Sequence, residues 1–484
     1  MQDIESPLLQ ILNPRSICLI GASNRMDRMG TWALLNVIGS GYDGGIYVVH
    51  PKDKTVLGIK AYPNIDSLPE VPELMVLVVG ASIVPQLLEQ AGRKGSRRAV
   101  IITAGFGEIG VEGKELQKKI DEVAPRYGIR YIGPNCIGFI NSKRRINTSP
   151  FAYNGRRGTI GFASHSGSYI CHTLEYSEQM DIGVGEWISM GNEGDLDIVD
   201  ALEYFGAQSD MNVVGLYLEG IRRPQAFKEA ATRICREKPV VALYAGGTTE
   251  GARSASSHTA SISSSEGIIR GFLRQCGILQ AETTTELYDW LKAFEQQPLP
   301  KGPRVAILTN SGGPATSLAE HVGRSELELP LFSSGLLRKI RDVLPITGSG
   351  QNPIDITLAP NPRIFCEKLP QILAKSEEID AILIYGIFGD KLTKKLKRRV
   401  EGKVPNQKGK ITFEMSNRDV ETMSGIFNIC EKPVLGASFD VYEDRAVRGM
   451  MAKGKIPVFP EPERAVKALE ALWRYKRLQQ KICS

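Results

Sequence analysis

Ser16-Ile-Cys-Leu-Ile20 is a continuous apolar run, Gly21-Ala-Ser-Asn-Arg25 follows it as a turn, and a helical stretch begins at Gly30. This order predicts a strand buried on both faces, a loop and a helix, which is the unit of a doubly wound parallel sheet. Similar units recur along the chain, with strands beginning at Gly45, Leu74, Ala99, Gly158, Val213, Pro239, Arg304 and Asp380. The pattern predicts an α/β protein with three consecutive doubly wound sheets.

The length and one linker predict where these sheets are divided. The 484 residues suffice for about three domains. Pro298-Leu-Pro-Lys-Gly-Pro303 is typical of a linker. We therefore expect domains at residues 1–130, 131–297 and 298–484.

The composition excludes several classes of protein. The net charge is only +6, and the basic run Lys391–Arg399 is typical of a solvated helix face, although an acidic partner could dock there. We therefore expect no nucleic-acid partner. Neither a signal peptide nor a run of about 18 apolar residues is apparent, so we expect no membrane association. Eight scattered cysteines without a C-x-x-C pair indicate a reduced, cytoplasmic protein.

Three loops of the first domain, Gly21–Arg25, His50–Lys52 and Thr103–Glu108, follow strands at the edge where nucleotides bind in such sheets. They predict a nucleotide-containing ligand. Lys52 could neutralise a phosphate or be an ordinary surface lysine. The first loop lacks G-x-G-x-x-G, and no acidic ribose-binding residue stands in context, which argues against an NAD-dependent oxidoreductase.

The second domain offers an anion site and a carboxylate. Ala163-Ser-His-Ser-Gly-Ser168 opens a helix, and its N–H groups could bind an anion or form an ordinary N-cap. Glu219 directly follows the apolar run Val213–Leu218, and the acidic loop Gly191–Asp197 follows another strand. Such a carboxylate could solvate the sheet edge or orient a histidine ring.

That histidine is His258, in Arg253-Ser-Ala-Ser-Ser-His-Thr-Ala-Ser-Ile-Ser-Ser-Ser-Glu-Gly267. A run of small residues lets a bulky anion approach the backbone closely. The stretch is either a Ser-rich connector with an incidental histidine or a loop in which His258 acts as a nucleophile.

Six motifs occur in a specific joint order: Ile20-Gly-Ala-Ser23, Gly133-Pro-Asn-Cys-Ile-Gly138, Ser164-His-Ser-Gly-Ser168, Ser257-His-Thr259, Thr309-Asn-Ser-Gly-Gly-Pro314 and Asn352-Pro-Ile-Asp355. With this order, the chain resembles the α subunit of ADP-forming (NDP-forming) acyl-CoA synthetases, in the succinyl-CoA synthetase superfamily. The resemblance extends from about residue 8 to 476. It implies a Rossmann-like CoA-binding domain followed by two flavodoxin-like, succinyl-CoA synthetase-type domains.

The resemblance also implies roles for individual residues. His258 would be a phosphohistidine, and Glu219 the carboxylate that steadies it. The residues around phosphate or acyl phosphate would be Ser164, Ser166, Gly167, Ser168, Ser257 and Thr259. Those around CoA would be Gly21, Ala22, Ser23, Arg25, Lys52, Thr103, Gly105, Phe106, Gly133, Pro134 and Asn135.

The family's reaction interconverts acyl-CoA, ADP and phosphate with a carboxylic acid, CoA and ATP, through an acyl phosphate. The resemblance implies that CoA binds this chain and that ADP or ATP and Mg²⁺ bind an ATP-grasp β subunit, in an α₂β₂ assembly. No metal is expected in this chain.

The chain departs from the family pattern near His258. Ala260 and Ile262–Ser264 replace a glycine and a Leu-Ala-Gly, and Tyr244 and Gly247 stand where a lysine and an arginine are common. The alternative is therefore a non-catalytic CoA-binding or regulatory homologue of the same fold.

Overall fold

The computed structural model describes residues 6–251, 253, 266–357, 361–387, 389, 391–401, 403, 414–441 and 443–483. They form two compact units, Met1–Leu287 and Tyr288–Ser484. No helix among the residues described is both long and apolar enough to cross a bilayer.

The first sheet, in the first unit, is predominantly parallel. Its strands are β1 (Ser16–Ile20), β2 (Gly45–Val49), β3 (Thr55–Val56), β4 (Ile59–Tyr62), β5 (Leu74–Leu77), β6 (Arg98–Ile101) and β7 (Arg130–Ile132), in the order β3-β4-β2-β1-β5-β6-β7. Only β3 is antiparallel to its neighbour. The accompanying helices are Pro7–Leu12, Met29–Gly39, Val84–Lys94 and Val111–Arg126. Because β1 lies between β2 and β5, the strand order reverses there, which is where ligands bind in this fold.

The second sheet, in the same unit, is mixed. Its strands are β8 (Phe139–Asn141), β9 (Ile146–Asn147), β10 (Arg157–Ser164), β11 (Val184–Ser189), β12 (Val213–Leu218), β13 (Val240–Tyr244) and β14 (Leu279–Ala281), in the order β14-β13-β12-β10-β11-β8-β9. Five are parallel, and β8 and β9 form an antiparallel edge. The accompanying helices are Gly167–Gln179, Ile198–Ala207, Pro224–Ile234 and Glu266–Gln275.

The second unit contains the third sheet. Its strands are β15 (Val305–Thr309), β16 (Ile354–Asp355), β17 (Ala381–Tyr385), β18 (Val434–Ala437) and β19 (Val458–Phe459), parallel in the order β16-β15-β17-β18-β19. The helix Thr284–Gln296 precedes it. The later helices are Gly312–Gly323, Ser334–Arg341, the π-turn Ile364–Lys368, Leu369–Lys375, Lys391–Val400, Asn417–Asn428, Arg445–Gly454 and Pro462–Cys483.

One apolar core serves both sheets of the first unit. It runs from the first helix and β1 through Phe139 to the fully buried Phe205 and Phe227. A second core covers the other face of the first sheet, and a third fills the second unit. Burial of apolar surface contributes about 25 cal/mol per Å², so these cores are the main source of stability.

The prediction of three consecutive α/β sheets is confirmed. Two details differ from the predicted pattern. β8 and β9 form an antiparallel edge, and β7 completes the first sheet although it extends past the predicted domain boundary at residue 130. The domain boundaries themselves stay a prediction.

Candidate functional site

The predicted CoA residues lie along the carboxyl edge of the first sheet. Gly21, directly after β1, has a φ of +110°, and a Cβ there would stand 1.9 Å from the carbonyl oxygen of Val78. Only glycine fits such a position. Ala22 is buried, and the backbone N–H of Ser23 donates to Thr31 Oγ1 at 3.2 Å. The turn therefore presents backbone groups, rather than side chains, to a ligand.

Arg25 and Lys52 bring positive charge to the same edge. Arg25 forms an exposed ion pair with Asp27, at 2.6 Å between Nη2 and Oδ2. Lys52 is exposed, and its backbone N–H donates to His50 Nδ1 at 3.4 Å. Exposed ion pairs are weak, so a phosphate group can compete for Arg25.

Glu108 closes the loop that follows β6. Its carboxylate accepts the backbone N–H of Gly105 at 2.5 Å and that of Phe106 at 3.2 Å, and the Asn192 amide also donates to it. Thr103 holds the start of the loop, because its Oγ1 accepts the N–H of Val79 at 3.1 Å. A carboxylate of the chain itself thus occupies backbone donors within the predicted CoA site, and an anionic ligand group there would displace it.

The segment Gly133-Pro134-Asn135 is hydrogen-bonded to this loop. Its Gly133–Pro134 peptide bond is cis. The backbone N–H of Asn135 donates to the Thr103 carbonyl at 2.9 Å, and its side-chain amide donates to Asn192 Oδ1 at 3.1 Å. The structure therefore brings Thr103, Gly105, Phe106 and Gly133–Asn135 together, and their contact with CoA stays a prediction.

The predicted phosphate loop lies at the carboxyl end of β10, in the middle of the second sheet. Ser164 is buried and donates to the Ser166 carbonyl at 2.7 Å. Ser166 caps the helix Gly167–Gln179 by accepting the N–H of Tyr169 at 3.3 Å, and its hydroxyl lies 3.1 Å from that of Ser168. At Gly167 a Cβ would stand 2.6 Å from Ile137 Cγ2. The helix start is thus packed closely, with its positive end at the sheet edge.

His165, within that loop, was not predicted as a site residue. The buried ring donates from Nε2 to Glu193 Oε1 at 2.9 Å, and Nδ1 accepts the backbone N–H of Glu219 at 2.9 Å. These partners assign the neutral tautomer with its proton on Nε2. Glu193 Oε1 also accepts the N–H of Ile198 at 2.7 Å. One imidazole therefore joins the loops that follow β10, β11 and β12. The signal in the sequence was a histidine directly after one buried strand and the acidic loop 191–197 after the next strand along the chain.

Two other carboxylates of the acidic loop 191–197 form a helix cap and ion pairs with arginines. Asp197 caps the helix Ile198–Ala207 and pairs with Arg223 at 2.5 Å. Asp195 pairs with Arg130 at 2.8 Å.

Glu219 is buried and lies near the start of residues 248–265, the segment that contains His258. The N–H of Ala245, directly after β13, donates to the carbonyl of Leu218 at 2.8 Å. Beyond the segment, the N–H of Glu266 donates to the carbonyl of Gly247 at 3.0 Å. The two ends of this segment are therefore joined at its base, and that base starts beside Glu219.

Ser257, His258 and Thr259, together with Ala260 and Ile262–Ser264, lie outside the described residues. Within the described part of the chain, no cluster of three His, Cys, Asp or Glu side chains could hold a metal ion.

Models of two protein families match the part of the chain between residues 15 and 294. A CoA binding domain matches residues 15–142, and a succinyl-CoA ligase like flavodoxin domain matches residues 157–294. The fold and the site thus define the class, a CoA-binding α/β protein of the succinyl-CoA ligase type.

The relatives narrow this class. The chain is 33% identical over 461 residues to the α subunit of acetate–CoA ligase [ADP-forming] II from Pyrococcus furiosus, covering 95% of this chain and 96% of that one. It is also 33% identical to acetate–CoA ligase [ADP-forming] I of Archaeoglobus fulgidus, of which it spans 64%. The dinucleotide forming acetyl-coenzyme A synthetase 1 of Ca. Korarchaeum cryptofilum, solved with phosphate and ADP, has a TM-score of 0.86 at 29% identity and 98% coverage of each chain. The chain belongs to the family of ADP-forming acyl-CoA ligase α subunits, which confirms the resemblance drawn from its motifs.

Proposed function

We propose that this chain is the catalytic α subunit of an ADP-forming acyl-CoA ligase and that His258 carries the phosphoryl group. The observation that supports this most directly is the base of the segment containing His258. The bond from Ala245 to Leu218 starts the segment beside Glu219, and the bond from Glu266 to Gly247 returns it there.

In the first step a phosphate oxygen attacks the acyl carbonyl of acyl-CoA. The C–S bond breaks, CoA leaves as the thiolate, and an acyl phosphate remains. The turn at Gly21 and the loops at Thr103 and Asn135 would hold CoA. The N-terminus of the helix Gly167–Gln179, with the hydroxyls of Ser166 and Ser168, would hold the phosphate through N–H groups and the helix dipole.

In the second step the neutral ring of His258 attacks phosphorus. An N–P bond forms, the bond from phosphorus to the acyl oxygen breaks, and the carboxylate leaves. Glu219 would accept the hydrogen bond of the other ring nitrogen and stabilise the charge that develops on the imidazole. An ADP oxygen then attacks phosphorus, which forms ATP and restores the neutral ring. Such a transfer needs mainly positioning and donors around the phosphoryl oxygens.

ADP, ATP and Mg²⁺ would bind an ATP-grasp β subunit in a cytoplasmic α₂β₂ assembly. Two findings support a partner. The relative from Pyrococcus furiosus is itself named a subunit alpha, and the one from Archaeoglobus fulgidus is a longer chain of which this chain spans 64%.

The test measures ATP formation by the chain with its β subunit, acetyl-CoA, phosphate and ADP. We expect His258→Ala to abolish ATP formation and the acid-labile phosphate label on the chain. His172→Ala, on the exposed face of the helix Gly167–Gln179, is the matched control and should keep both. Unchanged ATP formation by His258→Ala would contradict the proposal. CoA binding by an unsubstituted chain that never becomes labelled would instead support the non-catalytic alternative.

A further inference from the structure

The carboxylate of Glu108 fills the loop that follows β6 in the first sheet. Its Oε1 accepts the backbone N–H of Gly105 at 2.5 Å and that of Phe106 at 3.2 Å, and its Oε2 accepts the same Phe106 N–H at 3.2 Å. Gly105 has a φ of +106°, a backbone conformation that favours glycine. Two successive backbone donors, the N–H groups of Gly105 and Phe106, therefore converge on one anionic group.

The environment of this carboxylate shows what could replace it. Glu108 is half-buried, and no lysine or arginine among the described residues forms an ion pair with it. Within that part of the chain its charge is stabilised by the two backbone donors and by the Asn192 side-chain amide, which donates to Oε2. Backbone N–H groups bind any acceptor oxygen, so an oxygen atom of a ligand can take the place of the carboxylate.

Asn192 gives Glu108 a second partner away from the two backbone donors. It lies in the loop that follows β11 in the second sheet, and its backbone N–H donates to the Pro134 carbonyl at 2.9 Å. Its Oδ1 accepts the side-chain amide of Asn135 at 3.1 Å, which fixes the orientation of the Asn192 amide. The carboxylate can therefore leave the two backbone donors without losing all of its partners.

We propose that Glu108 is a gate of the CoA site. It occupies the two backbone donors while the site is empty, and it withdraws towards Asn192 when an acceptor oxygen of CoA, from a phosphate or an amide carbonyl, binds them. The inference rests on the proposed function, because it takes this loop as part of the CoA site. Glu108 thus competes with CoA, and its negative charge also repels the phosphate groups of CoA.

This competition should lower the apparent affinity for CoA. Only the open form of the loop binds, so a carboxylate that covers the donors about nine-tenths of the time weakens binding about tenfold. Hydrogen bonds to a charged acceptor are roughly twice as strong as those to a neutral one. Glutamine at this position should therefore cover the donors for less of the time, and alanine should leave them open.

The experiment is calorimetric titration of the full chain with CoA. We expect Glu108→Ala to bind CoA about tenfold more tightly than the unsubstituted chain, and Glu108→Gln to lie between the two. Glu112→Ala is the matched control, because it removes the same charge from an exposed position in the first turn of the helix Val111–Arg126. This control should leave the affinity nearly unchanged.

Two fragments of CoA identify the acceptor oxygen. Pantetheine has amide carbonyls and no phosphate, whereas adenosine bisphosphate, the nucleotide end of CoA, has phosphates and no amide. Tighter binding of pantetheine by Glu108→Ala would assign the two backbone donors to an amide carbonyl. Tighter binding of adenosine bisphosphate would assign them to a phosphate.

The opposite result is expected if Glu108 only holds the loop in shape, because its removal would then weaken CoA binding. Tighter binding by Glu108→Gln alone would still support the gate, since glutamine keeps the shape of the side chain. Equal or weaker CoA binding by both variants, with an unsubstituted chain that binds CoA, would overturn the inference and leave the proposed CoA site standing. Absence of CoA binding by all three proteins would overturn both.

Discussion

His165 holds two loops at once through opposite roles of its two ring nitrogens. Nδ1 accepts from the Glu219 backbone, and Nε2 donates to Glu193. The ring does not need to contact a substrate to matter, because it fixes the backbone of the residue that we propose to steady the phosphohistidine. His165 is thus a positioning residue, and asparagine can replace the Nδ1 acceptor while glutamine can replace the Nε2 donor.

His165→Ala should lower the free energy of unfolding by about 1–3 kcal/mol, because it leaves the buried Glu219 N–H without an acceptor. It should also slow phosphorylation of the chain. His165→Asn should restore phosphorylation more fully than His165→Gln. Urea unfolding and the initial rate of labelling measure the two effects. Equal labelling by all three variants would show that His165 stabilises the fold without positioning Glu219.

Glu186 should make stability depend on pH. Its pKa rises from 4.5 to about 7 on folding, so the folded protein favours the protonated acid. That contribution is present below about pH 4.5 and is lost as the pH rises through about 7, for a total of about 3 kcal/mol. Urea unfolding at about pH 5 and about pH 8 should show the loss. Glu186→Gln should remove most of it and be more stable than the unsubstituted chain at the higher pH.

At the scale of elements, the site is built from loops at the carboxyl ends of parallel strands. β10 is central in its sheet, so the loop after it meets the loops after both neighbours, β11 and β12. This loop enters the helix Gly167–Gln179 against Ile137, and the contact leaves no room for a side chain at Gly167.

Gly167→Ala should therefore destabilise the protein by about 1–3 kcal/mol, although alanine normally favours a helix. The matched control is Gly271→Ala, in the exposed interior of the helix Glu266–Gln275, where a Cβ meets nothing within 4 Å. This control should stabilise by roughly 0.5–1 kcal/mol. The midpoint of thermal unfolding should fall for Gly167→Ala and rise for Gly271→Ala. A shift of the same sign in both variants would contradict the packing argument.

The elements also show what could be predicted from the sequence. β1 and β15 are buried along their whole length, and such strands appear as plain apolar runs. β8 and β9 have three and two residues, too few for a periodic signal. The contacts of His165 with Glu193 and Glu219 span 28 and 54 residues, so they depend on the order of strands in the sheet, which no local pattern encodes. Glu186 sits inside an apolar run, and its burial follows from the same order.

At the scale of the whole molecule, the chain is expected to be incomplete as an enzyme. We predict that the purified chain alone binds CoA but forms no ATP from acetyl-CoA, phosphate and ADP, because the nucleotide would bind the β subunit. Addition of an ATP-grasp β subunit should restore ATP formation, with a mass by light scattering that corresponds to two copies of each chain. ATP formation by the chain alone would contradict the division of the reaction between subunits.

The hydrogen bond between Glu266 and Gly247 has a geometric consequence for that assembly. His258 precedes Glu266 by only eight residues, and a fully extended chain advances at most about 3.6 Å per residue. The covalent chain keeps the Cα of His258 within about 29 Å of that of Glu266, and the hydrogen bond holds Glu266 beside Gly247. The number of residues between His258 and Glu266 therefore limits how far His258 can move. If His258 carries the phosphoryl group as proposed, the acyl phosphate and the bound ADP would both have to lie within or close to this distance of Glu266, which would restrict where a β subunit can dock.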